Sequence, residues 1–173
     1  MATVVRTASA ADATGIAEVH VAGWRWAYRG LIPDAFIDAL RVEDRERFWT
    51  DALATPGDRE ILVAERDATT VGFVAIGPTE DEAALPGTGE VFALYVLPEV
   101  VGSGVGRGLF AAAIDRLVAT AFARGSLWVL ADNERARRFY EAVGWSWDGT
   151  TGTHRFDCAE RPVVRYVGDL DGR

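Results

Sequence analysis

At 173 residues and 49% hydrophobic, the chain is long enough to bury a substantial core in one domain, residues 1–173. A net charge of -8 argues against general nucleic-acid binding, which needs a basic face to neutralise phosphate, and favours encounter with cations. With no run of about 18 uncharged apolar residues, no signal-like N-terminus and a single cysteine, Cys158, the chain is expected in the cytoplasm, without a membrane span or an internal disulfide.

Val4 to Arg6 predicts a short strand, and Ala10 to Ala27 a helix. Asp12 sits near that helix's positive end, and Ile16, Val19, His20 and Gly23 run along one side. An aromatic passage follows, with Trp24, Trp26 and Tyr28, that is either core or the wall of a site. Val42 to Leu53 predicts a second helical region with Phe48, Trp49 and Leu53 to bury, broken at Thr55-Pro56-Gly57-Asp58. Glu60 to Arg66 and Val71 to Ile76 then read as an antiparallel hairpin around Asp67-Ala68-Thr69-Thr70. In the loop from Thr79 to Thr88, Glu80-Asp81-Glu82 reads as a solvated acidic turn.

Glu90 to Leu97 is a β-branched and aromatic run closed by Pro98, which predicts a strand. After it come Gly102-Ser103-Gly104-Val105-Gly106-Arg107-Gly108 and a helical stripe. That stripe carries Val105, Leu109, Ala113, Leu117 and Ala121, flanked by Phe110, Ile114, Val118 and Phe122. A glycine-rich turn opening a helix brings backbone N–H groups close to an anion, so this stretch predicts a phosphate cradle or, at its simplest, a tight connection. The dinucleotide fingerprint does not fit, because counting from Gly102 or Gly104 puts Arg107 or Leu109 at its last glycine. A nucleotide P-loop does not fit either, since all 18 cationic residues are arginine.

Leu127 to Leu130 reads as a further buried strand, ahead of a helix from about Asn133. The segments around His154-Arg155-Phe156 and Val163 to Val167 read as two more, completing a mixed sheet. His20 and His154 stand outside any motif and are expected to be structural or surface histidines. No paired-Cys or His-rich spacing suggests a metal, and no Gly-x-Ser-x-Gly elbow suggests a serine nucleophile.

Two stretches together resemble the GNAT superfamily of acyl-CoA N-acyltransferases. Val101-Gly102-Ser103-Gly104-Val105-Gly106 is similar to its pyrophosphate-binding pattern, with Val101 where the family usually has Arg or Gln. Asn133, Ala136, Phe139, Tyr140, Glu141 and Gly144 match its second motif, with Trp145 replacing the usual Phe. The resemblance implies an α/β fold: a mostly antiparallel, mixed sheet of six to seven strands, about four helices on both faces, and strands that splay apart at the fourth.

It also implies acetyl-CoA as cosubstrate, held by backbone groups of Leu94 and Val96 along the arm and by Gly102, Ser103, Gly104, Val105, Gly106 and Arg107 at the pyrophosphate. Asn133 matches the family's cofactor-binding asparagine, with an N-cap role open beside it. Tyr140 matches the acid or stabiliser of the departing thiolate, and Glu90 the strand glutamate that serves as base in some members; packing and solvent exposure are the plain alternatives. Trp24, Trp26 and Tyr28 fall where the family borders its acceptor, expected to be a small-molecule amine. A protein amine acetyltransferase and a non-catalytic acyl-CoA-binding module stay open, as does assembly into a homodimer.

Overall fold

The computed structural model describes residues 2–55 and 57–170, so Pro56 of the predicted helix break lies outside the described residues. Seven strands form one sheet: β1 (Val4–Thr7), β2 (Glu60–Arg66), β3 (Thr69–Pro78), β4 (Thr88–Val96), β5 (Arg124–Leu130), β6 (Ser146–Phe156) and β7 (Ala159–Asp169). Their order is β1-β2-β3-β4-β5-β7-β6, and every pairing is antiparallel except β4 with β5. Five α-helices cover it: α1 (Ala13–Ala27), α2 (Asp34–Ala39), α3 (Val42–Ala54), α4 (Val105–Ala119) and α5 (Glu134–Ala142).

The helices divide between the faces as hydrophobic spacing requires. Ile16, Ala17 and Val19 of α1 and Trp49 of α3 pack on Val63, Phe73 and Ala75 on one face. On the other, Leu109, Phe110, Ala113, Ile114 and Leu117 of α4 pack on Val74, Ile76, Val91 and Leu127, with Phe139 and Tyr140 of α5 beside them. Among the described residues no helix is long and apolar enough to cross a membrane.

Several local expectations are corrected, among them that for Phe48, expected to be buried but 49% exposed. The first α-helix begins at Ala13, after a 3-10 turn over Ala10–Asp12 in which the buried Asp12 carboxylate accepts from Ser9 and from the Arg6 guanidinium. The fourth helix stops at Ala119, so Ala121 lies outside it with φ +66, and Val118 faces solvent; Phe122 still packs against the core. α2 went unread because it is six residues long, with Ile37 as its one fully buried side chain. The acidic turn is not wholly solvated: Asp81 pairs with Arg165 at 2.7 Å, both side chains about 15% exposed or less. That contact ties the β3–β4 loop to β7.

One substitution in the second motif is matched by the sheet. Trp145, 2% exposed, lies against Gly125 of β5 and Gly168 of β7, where an added Cβ would come within 2.4 Å of the indole. The larger ring therefore depends on two glycines on neighbouring strands.

Candidate active-site cleft

The cleft exists because two strands part. β4 and β5 pair only at Thr88–Arg124, Gly89–Gly125 and Glu90–Ser126, and from Val91 onward that edge of β4 has no strand partner. A bulge at Phe92, between the pairs Val91–Ile76 and Ala93–Ala75, bends β4 at the fork. The resulting cleft, of about 1080 Å³, passes from one face of the sheet to the other.

Backbone alternation decides what the free edge offers. Leu97 N–H donates to Val71 O at 2.9 Å, so in the antiparallel ladder the peptide groups of Tyr95 and Ala93 also face β3. Those of Leu94 and Val96 point into the gap. An unpaired edge of this kind presents donors and acceptors at amide spacing.

At the end of that edge the glycine-rich turn runs into α4. Gly102 and Gly104 have φ +82 and +90, a left-handed backbone that side-chain-bearing residues avoid, and Gly104 is the N-cap of α4. The first helical bond there is Gly108 N–H to Gly104 O at 2.9 Å, which leaves the N–H groups of Val105, Gly106 and Arg107 without carbonyl partners. Ser103 is tied down, its Oγ bonding Val100 O and accepting from Arg66. Val101 and Arg107 are both exposed.

Asn133 and Tyr140 face the same cleft from α5. Asn133 caps that helix, its Oδ1 accepting from Ala136 N–H at 3.2 Å, which leaves its amide NH2 for other partners. Tyr140 packs on Phe110, and burial pushes its hydroxyl pKa well above the ordinary value. Two more motif residues are structural: Glu141 accepts from Tyr166 Oη at 2.6 Å, and Gly144 takes φ +90.

Glu90 stands at the fork, in the last β4–β5 pair, 7% exposed. Its Oε2 accepts from Thr79 Oγ1 at 2.7 Å and from Glu80 N–H at 3.4 Å. Burial raises its pKa, and the neighbouring Glu80 and Asp81 carboxylates push the same way.

The other end of the cleft is aromatic. Trp24, Trp26 and Tyr28 all border it, and Tyr28 Oη bonds Tyr95 Oη at 2.8 Å. Tyr95 and His20 escaped the sequence reading as site residues. His20 stacks on Tyr95 at 5.4 Å and 13°, and its Nδ1 accepts from Trp49 Nε1–H at 3.0 Å. Burial, helped by the charge on Arg45, lowers its pKa to about 3, so the imidazole is neutral. The available signal was position: His20 lies one helical turn before Trp24 on the buried side of α1. His154 is exposed.

The cleft sets a polar backbone pocket and an aromatic chamber on either side of one carboxylate and one tyrosine. Residues 23–145 match the acetyltransferase (GNAT) family. The chain is 32% identical to YuaI of Bacillus subtilis, an uncharacterized N-acetyltransferase, over 80% of this chain and 77% of that one. It is 45% identical to a mycothiol acetyltransferase of Kocuria rhizophila over 60% of this chain, but spans only 34% of that protein's length. In three dimensions it is similar to the PaiA N-acetyltransferase of Thermoplasma acidophilum, solved in complex with coenzyme A: TM-score 0.76, 20% identity, 95% of this chain and 98% of that one.

Proposed function

The chain belongs to the acetyltransferase (GNAT) family, and on that premise we propose that it moves an acetyl group from acetyl-CoA to a primary amine of a small molecule. Residues 1–173 are read as one acetyltransferase domain. The observation that carries the reading is the parted β4–β5 pair, which opens onto the glycine turn at one end and onto Glu90 and Tyr140 between the faces.

The residues fit acetyl-CoA. Peptide groups of Leu94 and Val96 suit the amides of its pantetheine arm, and the free N–H groups of Val105, Gly106 and Arg107 suit a pyrophosphate. With Val101 in place of a long polar side chain, that grip is made by backbone, with the Arg107 charge and the Asn133 amide beside it. In the reaction a neutral amine forms the new C–N bond as the thioester C–S bond breaks. Glu90 takes the proton that the acceptor ammonium must lose, and its raised pKa makes it a stronger base than an exposed carboxylate.

Tyr140 serves the leaving group. Its burial holds the phenol protonated, so it donates a hydrogen bond to the developing thiolate, while full proton transfer from so weak an acid is uphill and falls to solvent. The test is an acceptor screen with free-thiol detection, run with wild type and Tyr140→Phe. Turnover should fall roughly 10²-fold in the variant, while its melting temperature and coenzyme A affinity hold, because the ring and its packing remain. Equal turnover would make Tyr140 a packing residue. Coenzyme A binding with no turnover of any amine would favour a binding module instead.

A further inference from the structure

The aromatic end of the cleft is selective about charge as well as shape. Of the groups that face it, Tyr28, Tyr95 and Tyr140 are neutral near pH 7 like any phenol, burial raising their pKa values further, and His20 is kept neutral by its burial among Trp24, Trp49 and Tyr95. Glu90 is the one buried carboxylate among the described residues that border it. Asp58 and Glu80 lie at the exposed rim, and Glu80 is engaged by the Arg59 guanidinium.

Three rings of the chamber already carry a guanidinium. Arg135 lies 3.8 Å over Trp26, Arg59 lies 4.1 Å over Phe92, and Arg45 lies 5.2 Å over Trp24. Arg135 has no acidic partner within ion-pair distance among the described residues. A ring face occupied by a cation has little attraction left for a second one, and the guanidinium itself repels it. The chamber compensates one positive charge at its floor and opposes further ones at its walls.

Its lining is also flat and apolar. Trp24, Tyr28 and Phe156 meet edge to face at 5.3 to 6.2 Å, and Trp24 Nε1 is a buried donor without a hydrogen-bond partner among the described residues. An aromatic body laid against the cleft-facing side of these packed rings makes offset or edge contacts, which add to the affinity from simple burial.

From these contacts we infer that the acceptor is a monocationic primary amine with a flat, apolar body, of the arylalkylamine kind, and that polyamines and peptide N-termini are poor acceptors. The inference rests on the N-acetyltransferase reading and names the class of substrate for that same site. Glu90 binds the ammonium, the rings beside Trp24 and Tyr28 hold the body, and Arg135 over Trp26, whose charge has no acidic partner among the described residues, turns a second cation away.

The test compares phenylethylamine, spermidine and an alanine-led tripeptide as acceptors, by free-thiol release at fixed acetyl-CoA. The expected kcat/KM for phenylethylamine exceeds those of the other two by about 100-fold or more. Trp24→Phe should raise its KM by roughly 3- to 10-fold with little change in kcat, and raise the KM for butylamine, which lacks a ring to stack, by a clearly smaller factor. Should Trp24→Phe fold poorly, Arg135→Glu at an exposed position carries the same test: it should narrow the gap by improving spermidine alone. Preference for spermidine or the tripeptide would overturn the inference and leave the N-acetyltransferase reading standing. Turnover of none of the three, nor of any amine in the wider screen, would overturn both.

Discussion

On the side of the cleft proposed for the coenzyme the groups on offer are backbone: the free edge of β4 at Leu94 and Val96, and the N–H groups that follow Gly104. On the acceptor side they are side chains, and they come from far apart: His20 and Tyr28 from α1 and its end, Trp49 from α3, Tyr95 from β4, Phe156 from β6. A backbone site is specified locally, by glycines and by where a strand loses its neighbour. Such a site should tolerate changes of side chain, Val101 among them, but not of backbone conformation. A side-chain chamber is specified by packing between elements, so it tolerates changes of sequence only where shape and hydrogen bonding survive.

The largest expected effect breaks the backbone side. Gly104→Val places a β-branched residue at φ +90, a conformation that costs roughly 1–2 kcal/mol or more for an L residue, so the turn should refold around it. An added Cβ would meet nothing within 4 Å, so the penalty is conformational and the body of the protein should survive. Coenzyme A should then lose about 100-fold or more in affinity, and the rise in melting temperature that the ligand gives wild type should vanish. A folded variant with wild-type affinity would show that the turn does not hold the phosphates.

A smaller effect sharpens the boundary between the two sides, where Glu90 sits. Glu90→Gln keeps the acceptor oxygen for Thr79 and removes the base, so kcat/KM should fall roughly 10- to 100-fold near pH 6. The loss should shrink toward pH 9, where more of the amine is already neutral. In wild type the acid limb of the profile should lie above the ordinary carboxylate range, in the direction that burial moves Glu90. A loss independent of pH would assign Glu90 to the structure of the fork.

The same contrast explains what could be read beforehand. The glycine turn and the Asn133-to-Trp145 motif are local patterns, and of the residues singled out on them and on β4, Leu94, Val96, Val101, Gly106, Asn133 and Tyr140 line one cleft, while Gly102, Ser103, Gly104, Val105 and Arg107 lie outside its lining. The chamber was legible only as aromatic density around Trp24, Trp26 and Tyr28. Tyr95 looked like any strand tyrosine, because nothing in its neighbourhood shows that Tyr28, 67 residues earlier, will meet its hydroxyl. Trp145 was visible as a departure from the usual Phe, but its two compensating glycines lie on other strands. The loop at Asp81 was misjudged for a like reason, since Arg165 lies 84 residues away.

The smallest expected effect concerns stability, and it measures how dry the acceptor side is. His20 sits among Trp24, Trp49, Phe73 and Tyr95, and its pKa falls from an ordinary 6.5 to about 3 because charging it there costs solvation and meets Arg45. The unfolded chain therefore binds a proton at pH values where the folded one does not. Stability from this group is complete above about pH 6.5 and is lost as pH falls from 6.5 toward 3, at up to about 1.4 kcal/mol per pH unit. Asp12, lowered to about 2, acts in a more acidic window, below its ordinary 3.8, so the range from pH 6 to 4.5 isolates the histidine among these two. His20→Gln can still accept from Trp49 but cannot titrate; it should be less stable at pH 7.5 and lose less with acid. Urea unfolding of both proteins at pH 7.5, 6 and 4.5 gives the two slopes. Parallel losses between pH 6 and 4.5 would mean that water reaches the imidazole, and that the chamber around it is open rather than sealed by its own side chains.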